Sequence, residues 1–273
     1  MSLPVALQLY SVRDEMEADF AGTLKAVKEM GYSGVEFAGL YGHSADEVKK
    51  LCELNGLIPI SAHVPLDDMA ADPDGTLSVY ADIGCKYIAV PYLGEERRPG
   101  TDGWEKTIAD IRLVCEKAKE LGMQMLYHNH DFEFVKIDGK YALDILYDTI
   151  PEDLLKTELD TCWVNVGGED PAGYILKYSG RAPVVHLKDF IQRSKGGKLY
   201  ELIGIEDDGA TAQEEAFTFK PVGSGMQDMP KILKASVEAG AEWVVVEQDR
   251  PAKGDTPMQS AKISRDYLAE QGF

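Results

Sequence analysis

Along this chain, amphipathic stretches end at a glycine and give way, one to four residues later, to a short run that is apolar or β-branched on both faces. The unit reads EMGYSGVEF around Gly31, LNGLIPISAH around Gly56, DIGCKYIAV around Gly84, ELGMQMLYH around Gly122, YSGRAPVVH around Gly180 and EAGAEWVVVE around Gly240. A glycine just past a helix adopts the left-handed conformation that closes it. A short run that is apolar on both sides is what a parallel strand covered on both faces requires. The segments before the glycines have helical spacing. Trp104, Ile108, Ile111, Cys115 and Ala118 advance by four, three, four and three residues, which is one face of a helix. Phe20, Leu24 and Val27 make a shorter stripe, and Ser44 with Glu47 three residues on fits a capping box.

Two further strands lack the glycine cue: Val5–Ser11 at the start, and Lys156–Asp160 between the 141–150 segment and a helix expected over Pro171–Tyr178. The pattern therefore predicts eight strands, near residues 5–10, 34–37, 57–63, 86–91, 123–128, 156–160, 183–187 and 243–247. Eight strands alternating with helices specify an α/β chain folded as a single-domain (β/α)8 TIM barrel over residues 1–273. A doubly wound sheet would carry a glycine-rich phosphate turn after its first strand, and LQLYSVRD has none. One segment breaks the rhythm. Residues 190–220, after strand seven, hold GGK and EDDG with little apolar periodicity, and are expected to form a lid or rim loop on the C-terminal face. Gly223-Ser224-Gly225 follows, either as a plain turn before a helix over Met226–Ala239 or as exposed amides for a phosphate or hydroxyl.

Composition narrows the function classes. The formal net charge of −19 repels phosphate backbones and argues against a nucleic-acid partner. No apolar run reaches membrane-spanning length, so no membrane partner is expected. The opening Met1-Ser2-Leu3-Pro4-Val5 lacks a basic segment followed by an apolar one, and the expectation is a cytoplasmic protein. The cysteines, Cys52, Cys85, Cys115 and Cys162, are irregularly spaced in apolar surroundings and read as buried reduced thiols.

The chemistry lies at the predicted strand ends, where barrel enzymes place their catalytic groups. Strand two ends at Glu36, strand three at His63, strand five at His128 with Asn129 and His130 beyond, strand six at Asp160, strand seven at His186 and strand eight at Glu247. Four of the five histidines fall at these positions. Mixed imidazole and carboxylate donors suit a divalent metal: Mn, Zn, Mg, Co or Fe. Open positions would make such a site catalytic. A metal there polarises a substrate carbonyl and stabilises an enediolate, while a neighbouring carboxylate takes the adjacent proton.

The strings LQLYSVRD, GYSGVEF, YHNHDFEF, ELDTCWV, VVHLKD, PVGSGMQDMPKIL and WVVVEQD, in this order, resemble the xylose isomerase-like barrel family of sugar and sugar-phosphate isomerases and epimerases. The resemblance implies four metal ligands: Glu from strand five, Asp from six, His from seven and Glu from eight. Asp160, His186 and Glu247 match. The strand-five position holds His128, which is expected as the fourth ligand, with Glu133 as the competing ligand or a base. Where the family often has His after the strand-six Asp, this chain has Trp163, a ring able to stack on a sugar or simply to pack. Lys188, next to Asp189, is expected to hold a substrate oxygen or neutralise an enediolate. Glu36 is expected to orient a ligand or a hydroxyl, and His63 and His130 to contact substrate or carry protons. Glu247 doubles as the candidate base. The resemblance thus implies a metal-dependent isomerase or epimerase of a small sugar, keto-sugar or cyclitol. Its alternative is a lyase or dehydratase acting next to a keto group, on a 3-keto glycoside or an inosose-like substrate. A small carbohydrate is the expected partner, and family analogy suggests a homodimer.

Overall fold

The eight barrel strands form where the apolar runs predict them. In the computed structural model, which describes residues 2–192, 217–251 and 254–273, they are β1 (Val5–Gln8), β2 (Gly34–Phe37), β3 (Ile58–Ala62), β4 (Tyr87–Val90), β5 (Gln124–His128), β6 (Leu155–Asp160), β7 (Val184–Leu187) and β8 (Trp243–Val246). All pair in parallel, in the order β3-β2-β1-β8-β7-β6-β5-β4. A single parallel bridge, His63 to Ala89, joins β3 to β4 and nearly closes the sheet into a barrel. The six glycines that end the amphipathic stretches all carry positive φ, from 62° at Gly56 to 101° at Gly84, as helix closure by a left-handed residue requires.

Alternation along the strands sorts the core into two shells. Outward residues such as Val35, Ile88, Tyr127, Val185 and Val244 pack under the helices. Inward, Ala6, Ile60, Tyr87, Ala89, Leu126, Val184, Trp243 and Val245 fill the barrel. Gly34 faces inward as well, and a Cβ there would meet Ile58 O at 2.9 Å and the Trp243 ring at 3.1 Å. That missing side chain leaves room for the indole inside the barrel.

The helices bear out the periodic stripes. Trp104, Ile111, Cys115 and Ala118 are buried along Trp104–Glu120, with Ile108 partly so. Ser44 and Glu47 form the reciprocal capping box. Asp19, Asp72, Asp160, Asp170 and Asp228 each accept the backbone N–H three residues on, and such a cap is worth about 1 kcal/mol. Part of the acidic excess is therefore structural. All four cysteines are buried and unpaired as thiols, as expected. Among the described residues no helix is long and apolar enough to cross a membrane.

The segment expected as an irregular loop over 190–220 is ordered at both ends. Asp189–Gln192 and Phe217–Lys220 pair as an antiparallel ribbon; alternating Phe217 and Phe219 are buried against Trp163, Phe190 and Cys162. The centre of that expected lid lies outside the described residues. The following helix starts later than the sequence suggested, at Met229, because Asp228 caps it.

Candidate metal centre and active site

On five of the strands the inward small or apolar residue is followed by a polar one two positions on. Ala6 is followed by Gln8, Gly34 by Glu36, Leu126 by His128, Val184 by His186 and Val245 by Glu247. Strand β6 contributes two such groups, Glu158 and Asp160. Period-two geometry thus converges these side chains on the axis at the C-terminal mouth. All of them are buried.

Two overlapping groups there can hold a metal ion: His128, Asp160, His186 and Glu247, and His63, His128, Glu158 and His186. In each, the ligand atoms lie within 4.8 Å of one another. The first is the set expected from sequence, with His128 in the strand-five place. Asp160 shows why the set suits a cation. Its Oδ1 accepts the N–H of Trp163 at 3.0 Å and caps the helix that follows. Its Oδ2 is buried and accepts no hydrogen bond among the described residues, 3.7 Å from His128 Nε2 and 3.6 Å from Lys188 Nζ. A buried oxygen with free lone pairs among imidazoles matches the donor set of a divalent metal.

Electrostatics separate the roles. Burial pushes His128 down to about 4, so the ring is neutral and has a lone pair to give. Burial lifts Asp160 to about 7 despite Lys188. Burial also opposes ionisation of Glu247, but Lys188 and His186 outweigh it and hold the carboxylate well below its usual range. Lys188 Nζ lies 3.0 Å from Asp249 Oδ2 and 3.1 Å from Glu247 Oε2. Against the cost of burial, those carboxylates hold it firmly as an ammonium.

A cavity of about 480 Å³ opens over this cluster. His63, His128, His130, Lys188, Glu247 and Asp249 form its polar floor, and Tyr10, Pro65, Pro91 and Tyr92 supply apolar walls. Aromatic and proline walls around a few polar groups are typical of a small-molecule site.

Three expected residues belong neither to the cavity lining nor to a metal-capable group. Glu133 turns back to accept the Tyr127 hydroxyl at 2.6 Å and the His130 N–H at 2.8 Å. It is in neither metal-capable group, and burial pushes it up to about 8. The tight turn after β5 needs an acceptor for that amide, and Glu133 supplies it. Glu36 lies behind the histidines, bound by Gln8 Nε2 at 2.8 Å. Trp163 is fully buried, stacked on His130 at 5.3 Å between centroids and parallel to Phe217, so it packs as part of the wall rather than offering a free face to a sugar. The Gly223-Ser224-Gly225 amides do not await a phosphate either: Asp189 Oδ2 accepts from Gly223 N at 3.0 Å and Gly225 N at 2.9 Å. The remaining histidine, His43, packs at a tilt against Phe20 and is in neither metal-capable group.

Two residues escaped the sequence reading. Glu158 sits two positions before Asp160, so strand alternation alone places it on the same inward face. Asp249, two positions after Glu247, reaches the cavity by the same rule.

Comparison with known proteins agrees with this architecture. A family model described as "Xylose isomerase-like TIM barrel" matches residues 24–271. An inosose dehydratase of Clostridium beijerinckii is 26% identical over 278 residues, spanning 91% of this chain and 90% of the relative. The crystal structure of a sugar phosphate isomerase/epimerase from Parabacteroides distasonis superposes with a TM-score of 0.78 at 21% identity, covering 98% of this chain and 94% of that one. The IolI protein with a bound zinc atom superposes with a TM-score of 0.73 at 15% identity, covering 98% and 97%. At these identities the structural likenesses establish the fold.

Proposed function

The chain belongs to the xylose isomerase-like TIM barrel family, and from that premise we propose that it is a divalent-metal-dependent dehydratase. Its substrate is a neutral, hydroxyl-rich ketone of the inosose or 3-keto-glycoside kind. The observation that carries this reading is the asymmetry of the site. Two-base epimerisation wants facing carboxylates from β5 and β8; here β5 presents His128, and the nearby Glu133 is turned onto Tyr127. This weakens the isomerase or epimerase reading that the sequence puts first. The curated relatives named inosose dehydratase support elimination as well.

His128, Asp160, His186 and Glu247 would hold the metal, which when bound supplies Lewis acidity to a substrate carbonyl; zinc in the IolI neighbour supports such a site. Elimination needs a base for the proton beside the ketone and an acid for the departing hydroxyl. The C–H electron pair becomes the new C=C bond, and the hydroxyl leaves with a proton as water. Two cavity histidines are pushed apart in the manner this requires. Burial, with His128 and Lys188 nearby, keeps His130 neutral, which suits a base. Burial opposes the charge on His63, but Glu36 and Glu158 outweigh it and hold the ring above its usual range, which suits an acid. Lys188 neutralises charge growing on the ketone oxygen. Among the described cavity residues it is the one Lys or Arg, and Asp249 and Glu247 already compensate it, so a phosphorylated substrate is disfavoured.

The test is incubation with a keto-inositol and Mn²⁺ or Zn²⁺ in deuterated water, followed by mass spectrometry. Loss of one water is expected. Deuterium uptake without water loss would restore epimerisation and sink the dehydratase reading.

A further inference from the structure

His128 and His186 each stand between carboxylates on both ring nitrogens. On the cavity side, His128 Nε2 lies 3.7 Å from Asp160 Oδ2 and 4.0 Å from Glu247 Oε2, and His186 Nδ1 lies 3.0 Å from Glu247 Oε2. On the rear side, His128 Nδ1 hydrogen-bonds Glu158 Oε2 at 3.2 Å, and His186 Nε2 lies 2.7 Å from Glu36 Oε2, an ionic contact without hydrogen-bond alignment. The two metal-capable groups therefore share both rings but reach them through opposite nitrogens. A neutral imidazole has one lone pair and one N–H, so each ring can ligate on one side and must donate on the other.

We propose that Glu158 and Glu36 are positioning residues that fix the two rings in opposite senses: proton on Nδ1 of His128, proton on Nε2 of His186. Both lone pairs then face Asp160 and Glu247. This rests on the metal reading above and decides between the two groups. One oxygen of each rear carboxylate is already engaged, while Oε1 of each accepts no hydrogen bond among the described residues. Glu158 Oε2 lies 2.6 Å from His63 Nε2, and Glu36 Oε2 accepts from Gln8 Nε2 at 2.8 Å. A cation on the rear side would have to displace those contacts beside the fully buried Glu36 and Glu158. The cavity group brings two carboxylates, Asp160 and Glu247, against the one of the rear group, and Asp160 Oδ2 accepts no hydrogen bond among the described residues. A carboxylate on the far nitrogen of a ligating histidine fixes the ring orientation and raises its donor strength. The fold provides for both partners: Glu158 is the inward neighbour of Asp160 on β6, and Glu36 stands at a register shift between β2 and β3.

The experiment uses the full chain stripped of metal and titrated calorimetrically with Zn²⁺, with long-range ¹H–¹⁵N correlation spectra of the zinc-loaded protein. Wild type is expected to keep its proton on Nδ1 of His128 and on Nε2 of His186. The opposite assignment overturns the proposal whether or not any variant folds. Glu158→Gln and Glu36→Gln are each expected to weaken zinc by about 10- to 100-fold at unchanged stoichiometry, whereas Asp160→Asn abolishes the site. If Asp160→Asn abolishes binding and both glutamine variants bind as wild type, the positioning role fails and the metal reading stands. If Asp160→Asn retains zinc while His63→Ala loses it, the metal sits in the rear group and both fail.

Discussion

Lys188 and Glu247 meet at the barrel mouth, Nζ 3.1 Å from Oε2, from the ends of adjacent strands β7 and β8. Asp249 completes the enclosure of the ammonium. A charge so well compensated is positioned rather than mobile, which suits stabilisation of a developing oxyanion. Lys188→Met should lower kcat by about 100- to 1000-fold, the loss typical of removing one preorganised stabilising donor. Zinc stoichiometry by metal analysis should stay at the wild-type value. Near-normal turnover would remove Lys188 from the mechanism.

His128 and Glu133 competed for one ligand place, and the geometry separates them. His128→Ala should lose most bound metal, while Glu133→Ala should keep it, as read by metal analysis of the purified variants. Glu133→Ala should instead lose stability, because it leaves the buried His130 amide without its acceptor; such a loss costs about 1–3 kcal/mol. Metal loss in Glu133→Ala with His128→Ala unaffected would reverse the assignment.

The same Glu133 sets a pH dependence. Burial pushes its folded pKa up to about 8 from 4.5. Between those values the folded state holds a proton that the unfolded state has released, so stability falls as pH rises through this window. Each tenfold change in proton affinity is worth about 1.4 kcal/mol, so the contribution amounts to a few kcal/mol. Glu133→Gln should flatten the slope of unfolding free energy from about pH 5 to about pH 8 in urea titrations. An unchanged slope would assign the dependence elsewhere.

Asp189 is a fastener rather than a reagent. Its carboxylate takes the amides of Gly223, Gly225 and Gln227 and so ties the aromatic ribbon to the turn that follows it. Asp189→Ala should cost about 2–3 kcal/mol by denaturant unfolding, from several charge-assisted bonds lost at once. Gly225→Ala should also destabilise, since its Cβ would fall 2.1 Å from Asp189 Oδ1. Calorimetry with inorganic phosphate should show no binding to this turn in the wild type.

The barrel was legible in the chain because its signals are local. Glycines close helices, stripes of period three and four bury one face, and doubly buried strands read as apolar runs; Gly56, Gly84 and Trp104–Ala118 needed no distant partner to be recognised. That His128, Asp160, His186 and Glu247 would gather at the mouth was equally legible, since strand ends in a barrel converge by construction. Other features were settled in three dimensions. Whether Glu133 turned to the metal or to Tyr127 depended on a short turn and a buried amide in need of an acceptor. Whether Trp163 met a sugar or a wall depended on Phe217 and Phe219, which are distant from it in sequence. Glu158 looked like one acid among many until alternation and barrel closure set it against His63 and His128. Periodicity and residue type are written in the chain, but the partner of a buried polar group is chosen by which other desolvated groups reach it, and that is a property of the closed barrel.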